Sequence, residues 1–175
     1  MRGIPGAKTK RIYKSLFLAE TDEFSLFAVA GARPTYCLVL AGVNDFCSRM
    51  KPSFYVHHIN LISDFLQSYG IVPVVLELPI LGWDVYDASL AEDGLKNDIR
   101  QLRNSLRGGS RVREDYVEAL RSGVRPGTLL LPFEKVAAGF DTDRDLYRAD
   151  GIHLSDKGKK KLATVFTEFI RSREK

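Results

Sequence analysis

The sequence predicts an α/β domain with three layers, in which helices cover both faces of a mostly parallel sheet. Three short apolar runs indicate buried strands, at residues 35–42, 70–79 and 127–133. Apolar residues at helical spacing fill two further stretches, at residues 53–69 and 155–170. Strands that alternate with helices favour a parallel sheet, because a connection between parallel strands usually contains a helix.

The helix predicted between the first two strands presents one apolar face. Ser53 is placed to cap its start, because a serine hydroxyl accepts from a free backbone N–H. Gly70 is placed to end it. Pro73 counts against a fully paired second strand, although a proline near the start of a strand is tolerated. The face consists of Tyr55, Ile59, Ile62, Leu66 and Tyr69.

The C-terminal stretch predicts a second amphipathic helix. Ser155 is a suitable N-cap, and we expect the apolar stripe to lie on the sheet. The region between residues 84 and 125 is polar and predicts one or two surface helices with a turn at Gly108 and Gly109. The stripe of the C-terminal helix consists of Leu162, Val165, Phe166, Phe169 and Ile170.

Length and composition predict a single globular domain over residues 1–175, with 45% hydrophobic and 27% charged residues. The two cysteines, Cys37 and Cys47, form neither a disulfide framework nor a C-x-x-C metal or redox site. No apolar run approaches the ~20 residues of a membrane span, and the start lacks a signal-peptide core, which together favour the cytoplasm.

The formal net charge of +4 comes largely from two lysine-rich stretches, near residues 8–14 and 157–161. Aromatic residues do not interleave these lysines as nucleic-acid stacking platforms would. We therefore interpret both stretches as solvated surfaces and expect no nucleic-acid partner. The basic charge nevertheless leaves a nucleic-acid-binding domain as the weakest of the functions considered for this chain.

Polar residues follow the first and third predicted strands. Residues 41–46 (AGVNDF) come directly after the first, and residues 150–154 (DGIHL) follow the third after a loop. Sites in parallel sheets lie at the carboxyl ends of the strands, so both segments can meet there. His153 then suits a general base and acid, Asp150 would orient its ring, and Asn44 is a donor suited to an oxyanion.

These residues resemble three ordered blocks of the SGNH/GDSL family of esterases and lipases. Residues 42–45, Gly-Val-Asn-Asp, resemble the third block, and residues 150–153, Asp-Gly-Ile-His, resemble the fifth. The opening RGIPGAKT resembles the second block, with Arg2 and Lys8 departing from its usual residues. The resemblance implies a flavodoxin-like sheet, an oxyanion hole that includes the N–H of Gly6, and cofactor-free hydrolysis of carboxylic esters through an acyl-serine. The substrate could be a small ester, a lipid or an acetylated sugar.

The first block of that family, Gly-Asp-Ser, occurs nowhere in the chain, and five residues precede Gly6. The resemblance therefore implies that the nucleophile and one or more N-terminal strands are missing. Residues 35–41 would then form an exposed sheet edge that favours self-association. The chain could be a truncated product or a late start, a degenerate non-catalytic relative, or a chain completed by a partner. We expect it to be inactive alone.

Simpler interpretations remain for each site residue. Asp150 could cap a helix beside a surface His153, Asn44 could serve a turn, and Gly6 could be an ordinary loop glycine. A non-catalytic module that binds an acylated or sugar ligand is the alternative function. Three serines, Ser15, Ser25 and Ser48, lack the strand-to-helix elbow of a nucleophile.

The neighbouring His57 and His58 do not predict a metal site. Adjacent residues on a helix point about 100° apart, so the two rings cannot share an ion as residues at i and i+4 do. His57 falls on the polar face of the helix and His58 beside the apolar face, and we interpret both as structural residues.

Overall fold

The computed structural model describes residues 6–18, 22, 25–79, 94–110, 112–136, 140, 143–149 and 153–174. Within these residues it is a mixed α/β structure with a three-stranded parallel sheet, as predicted. The strands follow the order β1-β2-β3 across the sheet. They are β1 (Tyr36–Val39), β2 (Val72–Leu76) and β3 (Leu129–Leu131).

Eight α-helices are described, together with 3-10 helices at Ser15–Phe17 and Arg144–Leu146. Two short helices precede β1, a region for which the sequence predicted no helix. The helices are α1 (Thr9–Lys14), α2 (Leu26–Gly31), α3 (Val43–Cys47), α4 (Pro52–Ser68), α5 (Gly94–Leu106), α6 (Arg113–Gly123), α7 (Phe133–Val136) and α8 (Asp156–Arg171).

Helix α4 is the central helix of the first compact unit and contacts α1, α6 and β2. Tyr55, Ile59, Ile62 and Leu66 are fully buried, whereas Tyr69 is half exposed at the C-cap. The predicted cap at Ser53 is wrong. Helix α4 begins one residue earlier at Pro52, whose fixed φ and missing N–H suit a first helical position, and no side chain caps it.

The C-terminal end of α4 lies just before Gly70, as the sequence predicted. Gly70 takes a φ of +72°, and its N–H donates to the carbonyl oxygen of Gln67 at 2.9 Å. Ile71 donates to the carbonyl oxygen of Leu66 at 3.0 Å. These two bonds form a Schellman motif, which turns the chain directly into β2.

Pro73 lies inside β2, opposite Cys37 of β1. The N–H of Val72 donates to the carbonyl oxygen of Thr35 in the neighbouring strand segment, at 2.9 Å. Successive residues of a strand direct their backbone groups to opposite sides, so the nitrogen of Pro73 points away from β1. The β1–β2 ladder therefore loses no hydrogen bond to this proline.

The chain divides into two compact units: residues 1–78 with 101–130, and residues 79–100 with 131–175. In the second unit Ser155 caps α8 as predicted, accepting from Gly158 N–H at 3.1 Å. Helix α8 contacts the 3-10 helix at Arg144–Leu146 and helix α7. Its packing on the sheet stays a prediction, as does the single domain. Among the described helices, none is long and apolar enough to cross a membrane.

Candidate active site

Asn44 lies where the sequence predicted it, just after β1, at the carboxyl end of that strand. It is the second residue of the short helix α3, which begins after Gly42. Gly42 has a φ of +112°, and a Cβ atom there would lie 2.6 Å from the ring of Tyr55. Only glycine fits this position, so the backbone that presents Asn44 is fixed by the buried ring behind it.

The segment around Gly6 and the Asn44 segment are joined by three hydrogen bonds. The amide Nδ2 of Asn44 donates to the carbonyl oxygen of Ala7 at 3.0 Å. Thr9 donates twice to the Asp45 carboxylate, from its backbone N–H and from its hydroxyl, each at 2.8 Å. Two segments more than 30 residues apart in sequence, which resemble the second and third family blocks, thus meet at the end of β1.

Asp45 is completely buried, as is Thr9. Burial raises the pKa of the Asp45 carboxyl above its ordinary value, because the charged form loses its hydration. The two hydrogen bonds from Thr9 and the electrostatic interactions with Lys8 and His58 act in the opposite direction without cancelling it. The carboxylate therefore holds the two segments together at the expense of a buried charge.

Asp45→Asn is expected to keep both contacts with Thr9 and to remove one source of pH dependence. The folded-state pKa of Asp45 lies above the ordinary value of 3.8, so the folded protein binds more protons just above that pH. The free energy of unfolding contributed by Asp45 consequently falls as pH rises from 3.8 through the folded-state pKa, and is constant above it. Urea unfolding between about pH 4 and 7 measures this slope.

The exposed Asp98→Asn is the matched control for loss of one carboxylate, and its slope should equal that of the wild type. Asp45→Ala should instead lower the unfolding free energy by about 1–3 kcal/mol per abandoned donor, because it leaves the buried groups of Thr9 without an acceptor. If the unfolding free energy of Asp45→Asn varies with pH as steeply as that of the wild type, the raised pKa does not belong to Asp45.

A second buried carboxylate follows β2 and was not predicted. Glu77 is 1% exposed and pairs with Arg121 of α6 in a two-pronged contact, with distances of 2.6 and 2.9 Å. The backbone carbonyl of Leu78 accepts from Arg113 of the same helix at 2.8 Å. An acidic residue directly after the run VPVVL is a sequence signal that would have identified this position at the end of the strand.

His153 lies in the second compact unit, in the bend before α8, and its side chain is exposed. Its carbonyl oxygen accepts from the N–H of Arg148 at 2.7 Å, next to a β-bridge between Tyr147 and Leu154. Asp150 lies outside the described residues. The meeting of His153 with Asn44, and the orientation of its ring by Asp150, therefore stay predictions.

The remaining candidates are placed as follows. Gly6 is exposed in a turn with a φ of +65°, next to the Ala7 carbonyl that binds Asn44. Ser15 donates to a carbonyl oxygen in its own turn, and Ser25 accepts from the N–H of Phe27 as the cap of α2. Both hydroxyls thus serve local structure.

The histidine pair is divided by burial as predicted. His57 is exposed, whereas His58 is buried and its Nδ1 lies 2.8 Å from the carbonyl oxygen of Phe54. In the part of the chain that the structure describes, no group of three or more His, Cys, Asp or Glu side chains is placed to hold a metal ion.

Comparison with known proteins adds no family assignment. The chain matches no protein-family model, and no curated protein matches it. Any function inferred for the site must therefore be argued from its own residues and their geometry.

Proposed function

We propose that this chain carries the oxyanion-binding and acid–base parts of an SGNH-type carboxylic ester hydrolase, and that the 175 residues alone do not hydrolyse esters. The observation that carries the proposal is the contact between residues 7–9 and residues 44–45 at the carboxyl end of β1. A three-layer arrangement around the sheet belongs to the same proposal.

The contact supports an oxyanion site because it brings together the two segments that would supply its donors. Asn44 has two N–H groups on its amide, of which one binds the Ala7 carbonyl and thereby fixes the plane of the amide. The second N–H is the proposed donor to a developing oxyanion, and the Gly6 backbone N–H is the proposed neighbour. Asp45 holds the geometry through Thr9.

In this proposal His153 accepts the proton of a nucleophilic hydroxyl and later returns it to the leaving alcohol. Asp150 accepts from the other ring nitrogen and keeps the ring in the required tautomer. The nucleophile is the part that the chain does not contain, since no Gly-Asp-Ser occurs in it. Ser15 and Ser25 are buried and bonded to the backbone around them, so neither is placed to attack a bound ester.

The purified chain is therefore expected to hydrolyse p-nitrophenyl acetate no faster than its His153→Ala variant. Without a serine against His153 no acyl-enzyme forms, and a fluorophosphonate should label no residue. The release of p-nitrophenol and mass spectrometry of the treated protein measure the two outcomes. Hydrolysis that depends on His153, together with a labelled serine, would show that another residue of this chain is the nucleophile.

A further inference from the structure

Helix α5 exposes its apolar side to solvent and packs its polar side against the protein. Ile99, Leu102 and Leu106 are 59%, 60% and 81% exposed. Asn104 is half buried, and its Nδ2 donates to the carbonyl oxygen of Ser48 at 2.8 Å. Each residue advances about 100° around a helix, so Leu102 and Leu106 each lie about 200° from Asn104.

This arrangement is the reverse of an ordinary surface helix, in which the apolar stripe faces the core. The three residues stand at positions i, i+3 and i+7, so they form one continuous stripe along the helix. A contiguous exposed apolar stripe indicates a surface that binds something, whereas single exposed apolar residues do not.

Basic residues flank the stripe on one side. Arg103 and Arg107 are exposed and each follows a leucine of the stripe by one position. Lys96 and Arg100 precede them at the same helical spacing in the sequence. Asp98 is the one acidic residue between positions 94 and 107. The described surface of α5 thus combines an apolar stripe with Arg103 and Arg107, and the sequence of the helix has a net positive charge.

We propose that α5 docks on an anionic lipid surface, with its leucines in the acyl boundary and its arginines at the head groups. An amphipathic helix with a basic polar face and an exposed apolar face is suited to lie in the plane of a membrane interface. The proposal is independent of the ester-hydrolase function.

The charge of α5 favours a lipid surface over the two other occupants. A second copy docked through the same stripe would place two helices of net positive charge against each other, and like charges disfavour that contact. A nucleic acid would meet Arg103 and Arg107 but would leave the apolar stripe exposed to water. An anionic bilayer satisfies both features at once.

Sedimentation with vesicles of phosphatidylcholine, with and without phosphatidylserine, tests the proposal on the full chain. The protein should bind only the vesicles that contain phosphatidylserine, and added salt should weaken the binding. Arg103→Gln with Arg107→Gln should weaken binding about 30-fold. Leu102→Gln with Leu106→Gln should weaken it on the order of 100-fold.

Two matched double variants control for charge and for exposed apolar area elsewhere. Lys160→Gln with Arg171→Gln removes two exposed positive charges from α8, and Phe17→Gln with Leu18→Gln removes two exposed apolar side chains. Both should bind as the wild type does. All substituted side chains are exposed, and circular dichroism melts check that each variant remains folded.

Three results would overturn the proposal. The first is no binding to either kind of vesicle, and the second is binding that the α5 variants leave unchanged. The third combines two observations. The wild type does not bind vesicles, and it forms a dimer in analytical ultracentrifugation that Leu102→Gln with Leu106→Gln abolishes. That result would assign the stripe to a contact between copies.

Discussion

Fusion of a strand ending in Gly-Asp-Ser to the start of this chain is expected to create an ester hydrolase that depends on the added serine. The expected loss on replacing that serine or His153 by alanine is on the order of 10⁴-fold or more, because nucleophile and base act as one unit. Asn44→Ala should cost about 10²- to 10³-fold in kcat, the usual effect of removing one oxyanion donor. Hydrolysis of p-nitrophenyl acetate measures all three.

His57→Ala in the same fusion is the matched control, because His57 is an exposed histidine of α4 outside the proposed site. It should leave kcat unchanged. A folded fusion with no labelling and no turnover would contradict the hydrolase proposal and favour the module that binds an acylated or sugar ligand.

Much of the fold was predictable because the signals are local. A short apolar run in the sequence indicates a buried strand, and each of the three predicted runs contains one strand of the structure. Gly70 and Ser155 end and begin helices through contacts within a few residues of themselves. The turn at Gly108 and Gly109 likewise separates α5 from α6 as the glycine pair predicted.

Other features depend on partners distant in sequence and were not predicted. The pairing of Thr9 with Asp45 joins residues 36 positions apart, and no local pattern specifies it. Helices α1 and α2 are six residues each, too short for periodicity to distinguish them from loops. Helix α5 was predicted as a surface helix, but only side-chain exposure shows that its apolar face points outward.

The candidate site shows the same division. The position of Asn44 after β1 follows from the strand ending there, which the sequence already indicated. The contact of its amide with the Ala7 carbonyl depends on how the start of the chain folds back, across 37 positions. Sequence spacing therefore indicates Asn44 as a donor, whereas the hydrogen bond that fixes its orientation is seen only in the folded structure.

Gly158→Ala is expected to destabilise the protein although it replaces a helical glycine. In most helices this change raises the free energy of unfolding by up to about 1 kcal/mol, because alanine has the higher helix propensity. At Gly158 a Cβ atom would overlap the carbonyl oxygen of Leu146 in the 3-10 helix. The Leu146 carbonyl belongs to the backbone, and a Cβ atom is fixed to the backbone of Gly158. The overlap can therefore be relieved only by moving α8 away from the 3-10 helix. We expect a net loss of about 2–3 kcal/mol, typical of overpacking.

Gly31→Ala is the matched control, since Gly31 ends α2 and a Cβ atom there would meet nothing within 4 Å. It should be neutral or stabilising, and urea unfolding of both variants measures the contrast. The position of Gly158 also matters for His153. Ser155 donates to the carbonyl oxygens of Leu146 and Asp145 at 2.9 and 2.6 Å, so the first turn of α8 and the 3-10 helix hold the His153 bend between them. In the serine-bearing fusion, Gly158→Ala should therefore lower kcat as well as stability, whereas equal stability of the two glycine variants would contradict this packing.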